Sequence, residues 1–313
     1  MMKNKMVKKF LRKAIPLWLT IVIVLDSTVF VGLTEYYIMK KQFNESITKL
    51  ANTTKSSEDL VNILKQEVLP AKGYTTSLRW KNLGQQLVES GVIDKKKYEE
   101  LFISEADGKN ELKYLDGDWN ENIAINEKNS RFIVNTFWAL GLVNKSRVLD
   151  EGPMVQEGKG KAGNFASTGG WTIGAKPVME LYSSKEIIPL NLEQQELVKK
   201  IAENVFRPCC NNPTSFPDCN HGMAALGYIE WAVYNGLPEK QIYKDLLAFN
   251  SFWFPQTYVE MAVYFDKQGT KWKDVDAKLA LSKNYSSAQG AAKIKQAVQG
   301  IPGIQSSGGG CGV

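Results

Sequence analysis

The chain has 313 residues, of which 43% are hydrophobic and 23% charged, enough apolar material for a sizeable core. Its formal net charge of +6 is confined to the start: Lys3, Lys5, Lys8, Lys9, Arg12 and Lys13 precede the first acid, and without these six, 33 basic residues face 33 acidic ones. The body of the chain is neutral overall, which gives no support for nucleic-acid binding, since that needs a basic face on the folded domain.

Residues 1–13 read as a cytoplasmic basic tip. An apolar stretch follows over 14–34, interrupted by Asp26-Ser27-Thr28, and its length predicts one transmembrane signal anchor. No small-x-small cleavage signal and no lipoprotein cysteine follow it, so the segment is expected to stay attached, with the rest of the chain extracytoplasmic. On this reading the protein is a single-pass protein of the cell membrane, and the membrane is its first partner.

Residues 35–70 predict a helical stalk, with Tyr36, Phe43, Ile47, Leu50, Leu60, Ile63 and Leu64 at helical spacings among polar neighbours. Residues 71–103 predict a helical hairpin: Leu78, Trp80, Leu83, Leu87 and Val88 on one helix, a break at Gly91, then a second helix from Lys95 to Phe102. The run Leu87-Val88-Glu89-Ser90-Gly91-Val92-Ile93-Asp94-Lys95-Lys96-Lys97-Tyr98 resembles the short helical hairpin called the SHOCT domain, which implies a docking or self-association element. Self-association through the stalk or residues 74–103 is the partner expectation that follows.

The main domain is expected over 104–298 and to be mainly α, because no series of alternating strands is visible. Residues 104–120 read as a polar surface loop. Phe132, Ile133, Val134, Phe137, Trp138, Leu140 and Leu142 predict a core helix apolar most of the way round. Residues 152–177 are glycine-rich but lack the phosphate-loop lysine and serine. Small polar residues in it, Asn164, Ser167 and Thr168, together with Trp171, predict a loop lining the site. Asn191 should cap a helix running to about Val205; Asp218 or Asn220 should cap a second that ends at Gly236; Pro238 and Pro255 should open two more. Residues 299–313 form a glycine-rich tail carrying Cys311.

The chemistry is concentrated in the loop 207–223. It carries Cys209, Cys210 and Cys219, three of the four cysteines, and His221, the one histidine. Three readings are open. Cys209, Cys210, Cys219 and His221 offer thiolate and imidazole ligands to a metal ion, zinc first and copper or iron next, with Met223 and Cys311 as accessory ligands. Alternatively the cysteines are structural and staple a domain for adhesion or envelope binding: a vicinal Cys209–Cys210 bridge is strained, so one of the pair would bond Cys219 and the other Cys311. Third, Cys219 at a helix N-terminus could be a reactive thiolate in a redox relay. Ser-His or Cys-His hydrolysis would have to use His221, and two residues of separation at a helix start aims Cys219 and His221 apart.

The stretches Asn135 to Leu142, Gly163 to Trp171, Cys209-Cys210 through Cys219-Asn220-His221-Gly222-Met223, and Gly308-Gly309-Gly310-Cys311-Gly312 resemble a group of exported or membrane-anchored prokaryotic proteins to which no activity is assigned. The resemblance covers residues 130–313 and implies a site at the cysteine loop without implying a reaction. A looser similarity, in the cysteine loop and the following helix, is to thiol-bearing helical domains of cytochrome c maturation. Those carry two cysteines two residues apart, a spacing absent here, so their function is not implied.

Overall fold

The computed structural model describes residues 16–102, 108–156 and 160–304, and the chain divides into two units, residues 1–57 and 58–313. It is mainly helical. One helix, α1 (Leu17–Val68), accounts for the described part of the first unit, where Tyr36, Tyr37, Phe43, Ile47 and Leu50 are all exposed. The predicted transmembrane anchor over 14–34 is overturned: among the described residues no helix is long and apolar enough to cross a membrane. The physical reason is visible in the sequence of α1, where Thr20 and Asp26-Ser27-Thr28 break the apolar run and Glu35 and Lys40 follow soon after.

Helix α1 runs through the segment predicted as a helical stalk as far as Val68. Val61, Leu64 and Val68, at helical spacing on the last turns of α1, are buried in the core of the second unit, which begins at Glu58.

Residues 74–81, predicted as helix, form strand β1 (Tyr74–Lys81). It pairs antiparallel with β2 (Trp119–Ile125), Tyr74 opposite Ile125 and Lys81 opposite Trp119. Thr76, Leu78 and Trp80 alternate inward with period two, which only a strand allows. The rest of the hairpin prediction is met by α2 (Leu83–Ser90) and α3 (Lys95–Phe102), with Gly91 left-handed at the C-cap. In the segment predicted as a loop, the described residues form two turns of helix over 108–115, and Leu115 is buried; only 116–118 are left as a connection before β2.

The core is built on α4 (Ser130–Val143) and α6 (Asn220–Tyr234). Every residue of α4 from Phe132 and of α6 from His221 to Val233 is buried. A helix apolar on all sides must be covered on all sides, and α5 (Leu192–Ala202), α7 (Glu239–Trp253) and α4 pack around α6. The α4–α6 crossing is close because Gly141 and Gly227 meet there. A Cβ on Gly227 would lie 2.2 Å from the Phe137 carbonyl oxygen, and one on Gly141 2.2 Å from that of Met223.

Helix ends follow local chemistry. Asn191 caps α5 in a full capping box, accepting from the Gln194 amide (2.9 Å) and donating its own amide to the Gln194 side chain (3.0 Å). Pro238 precedes α7, and Pro255 is the first residue of α8 (Pro255–Lys267). Helix α9 (Ala288–Val298) closes the described fold. The tail with Cys311 lies outside the described residues beyond Ile304.

Candidate metal centre

The loop from Phe206 to Cys219 joins α5 to α6 and is tied down from several sides. The Thr214 amide donates to the Val205 carbonyl (2.8 Å) and the Ser215 amide to that of Ala202 (3.1 Å), folding the loop back on the end of α5. From the start of α9, the Ala288 amide donates to the Cys210 carbonyl (2.9 Å) and the Gln289 amide to the Asn211 side chain (2.9 Å). From the glycine-rich segment, the Ser167 amide donates to the Asp218 carbonyl (3.1 Å). A loop anchored at this many points can hold its side chains in one arrangement.

That arrangement brings three sulfurs together. The Sγ atoms of Cys209, Cys210 and Cys219 all lie within 4.8 Å of one another, and those of Cys209 and Cys219 are 3.3 Å apart. All three are free thiols. The trio is placed so that it could hold a metal ion. Sulfurs bound to one tetrahedral zinc at ~2.3 Å are about 3.8 Å apart, so the observed contact needs a slight opening, whereas a disulfide needs a closure to about 2.05 Å.

Beneath the sulfurs lies Arg207, whose side chain is only 1% exposed. Its guanidinium donates from Nε to Cys219 Sγ (2.9 Å), to the Asn212 carbonyl (3.1 Å), to the Phe216 carbonyl (3.2 Å) and to Asp218 Oδ1 (2.8 Å). Asp218 is held in turn by the Asn212 amide group (2.8 Å). A buried guanidinium is tolerated only when compensated, and here a carboxylate and a sulfur flank it. The room for it comes from Gly222: a Cβ there would sit 2.4 Å from the guanidinium carbon.

These contacts separate the thiols electrically. Cys219 is the N-cap of α6; its sulfur accepts from the Gly222 amide (3.4 Å) and from Arg207, at the positive end of the helix dipole. Its thiol is held well below the ordinary range, by the donating thiols of Cys209 and Cys210 first and, against burial, by Arg207. Cys209 is pushed up by its contacts with Cys210 and Cys219 and by burial. For Cys210 the contact with Cys209 lowers the value, but Cys219 and burial outweigh it, and the thiol rises to about 11. Burial alone would weaken the proton's hold on Arg207; the three sulfurs reverse this and raise it. Cys219 is therefore the most acidic thiol of the three, with the Arg207 guanidinium and the Gly222 amide both directed at its sulfur.

Of the residues singled out in the sequence, the fold gathers three and leaves others apart. His221 lies outside the group of mutually close ligand atoms. Its ring is 3% exposed and packs against Phe254 (centroids 4.4 Å) and Trp253 (5.7 Å), because the second residue of α6 faces α7 while the cap faces the loop. Among the described residues its buried Nδ1 has no partner, and burial pushes the imidazole down to about 4. Met223 is fully buried one turn into α6, its amide donating to the Cys219 carbonyl (3.0 Å). In the glycine-rich segment Asn164 is exposed, Thr168 bonds back to the Phe165 carbonyl (3.0 Å), and Trp171 donates to the Val92 carbonyl (2.8 Å). That segment reaches the cysteine loop through the Ser167 amide and through Phe165 against Phe216 (5.4 Å), so it buttresses the loop from behind. Arg207 and Gly222, central to the geometry, carry no local sequence signal: an arginine before Pro208-Cys209-Cys210 reads as a surface charge until the fold buries it.

No family model, curated protein or solved structure matches this chain. The functional reading therefore stands on the residues and their geometry.

Proposed function

We propose that the protein binds a soft metal ion on the thiolates of Cys209, Cys210 and Cys219, with Arg207 beneath them as fixed counter-charge. The observation that carries this reading is the convergence of three sulfurs, from two points of one clamped loop, over a buried guanidinium. A bridge uses two sulfurs, whereas a metal ion uses all three of those that converge here. Thiolate-only ligation favours zinc or copper(I) over the harder ions, and zinc is the first candidate because a three-thiolate set leaves it one further position. Arg207 favours the ionised form of the set, which lowers the cost of the protons that metal uptake releases. Asp218 keeps Arg207 charged and aimed.

The test is elemental analysis and thiol counting on one anaerobic sample of the full chain. One zinc or copper per chain is expected, with three additional thiols becoming reactive after chelation. Cys209→Ser, Cys210→Ser and Cys219→Ser should each lose the ion, while His221→Gln should keep it. A metal-free protein with a Cys209–Cys219 disulfide in its peptide map would overturn the proposal. It would favour a thiol–disulfide couple, which the 3.3 Å contact and the low-lying Cys219 thiol also suit.

A further inference from the structure

Cys209 is the one member of the trio that lines a cleft of about 270 Å³ between the cysteine loop, the α7–α8 junction and α9. One wall is aromatic, Trp253 and Phe254; the other lining groups of consequence are Gln256, Glu260 and Lys295. The volume is near the lower end of small-molecule sites, roughly 300–1,000 Å³, so it suits one amino-acid-sized molecule and not a folded partner.

The charges in this cleft are unusual. Glu260 is 3% exposed, and its Oε1 accepts from the Gln256 side chain (2.9 Å). Among the described residues nothing donates to its other oxygen, and no cationic group comes within ion-pair distance of the carboxylate. A buried carboxylate without a cation is costly, and a cationic ligand group placed there recovers that cost. Lys295, exposed on α9, lines the same cleft and likewise has no acidic partner among the described residues. An unpaired buried anion, an unpaired cation and a sulfur within one small cleft are complementary to an ammonium, a carboxylate and a thiol on one small molecule.

We infer that the cleft binds a small zwitterionic thiol of the cysteine type. Its ammonium pairs with Glu260, its carboxylate with Lys295, and its sulfur, after losing its proton to solvent, completes the coordination of the ion held by Cys209, Cys210 and Cys219. This inference rests on the three-thiolate reading above. It makes the centre one that exchanges an external thiol ligand, where a purely structural metal site would be closed by four protein ligands.

The experiment uses the full chain loaded with cobalt(II), whose thiolate bands report each added sulfur ligand, titrated separately with cysteine, cysteamine, 3-mercaptopropionate and 2-mercaptoethanol. Protein-bound cobalt is checked by gel filtration after each titration. Cysteine should bind most tightly and 2-mercaptoethanol most weakly, each charged contact being worth roughly tenfold or more. Glu260→Gln should take up cobalt unchanged and lose about tenfold for cysteine and cysteamine only. Lys295→Met, an exposed position with no folding role, should lose a similar factor for cysteine and 3-mercaptopropionate only. Failure to take up cobalt overturns the metal reading and this one with it. Normal cobalt uptake with equal affinity for all four thiols, or removal of cobalt by cysteine without a ternary complex, overturns the cleft ligand alone.

Discussion

Gly222→Ala is the substitution at which local and tertiary physics give opposite signs. Position 222 is in the first turn of α6, and replacing glycine by alanine in a helix ordinarily gains up to about 1 kcal/mol. Here the added Cβ would meet Arg207 at 2.4 Å from Cζ and from one terminal nitrogen, and at 2.7 Å from Nε. The guanidinium cannot slide away cheaply, because its contacts to Cys219, Asn212, Phe216 and Asp218 hold it on every side. Displacing it breaks a buried ion pair, a loss of about 3–5 kcal/mol when one partner is left uncompensated. Subtracting the helix gain leaves a net loss of about 3 kcal/mol. For a unit of this size that lowers Tm by roughly 6–12 °C. The assay is thermal unfolding of the chelated protein followed by circular dichroism, with alkylation rate against pH on the same samples. Removing the Arg207 contact should also raise the Cys219 thiol and slow its alkylation near neutral pH. A variant as stable as the parent, or more so, with unchanged alkylation would refute the claim that Gly222 makes room for a buried, thiolate-bearing arginine.

Two further predictions concern buried titratable groups. His221 is pushed by burial to about 4 from an ordinary 6.5, so the unfolded chain binds its proton first as pH falls. Stability should be complete above pH 6.5 and decline between 6.5 and 4 by up to about 3 kcal/mol, and His221→Phe should flatten this acid limb in urea titrations; an unchanged limb would show the imidazole is not the cause. Glu230, fully buried on α6 with one oxygen bonded by Asn144 (3.0 Å), is raised by burial to about 8. There the unfolded state loses its proton first, so stability falls as pH rises from 4.5 towards 8. Glu230→Gln should add up to roughly 3 kcal/mol at pH 7 and nothing at pH 4, and equal effects at both pH values would place the benefit elsewhere.

Much of the secondary structure was legible because it is decided within a few residues. Asn191, Gly91, Pro238 and Pro255 mark helix ends through their own hydrogen bonds and backbone preferences, and the mostly apolar character of 132–142 and 223–233 announced core helices. Strand β1 was legible too, in the alternation of Thr76, Leu78 and Trp80, but the helical spacing of Leu83 and Leu87 just after it drew the whole stretch into one helix. The apolar run before Leu33 has the length of an anchor but carries Asp26 near its middle, and among the described residues no helix is long and apolar enough to cross a membrane.

For the site, the sequence by itself determined which residues could do the chemistry: three cysteines in one loop, the third opening a helix whose dipole favours its thiolate. Only the tertiary structure decided which of them meet. A helix start sends the side chains of Cys219 and His221 in different directions, so the imidazole packs on Phe254 while the sulfur joins Cys209 and Cys210. The charge that tunes the cluster comes from Arg207, and nothing in the order of residues marks it as buried. Its burial depends on the α5–α6 loop folding back on α5, on the missing Cβ of Gly222, and on a carboxylate eleven residues along the chain. Contacts of that kind depend on where distant backbone segments pass one another, which the packing of helices around α6 sets and local sequence does not.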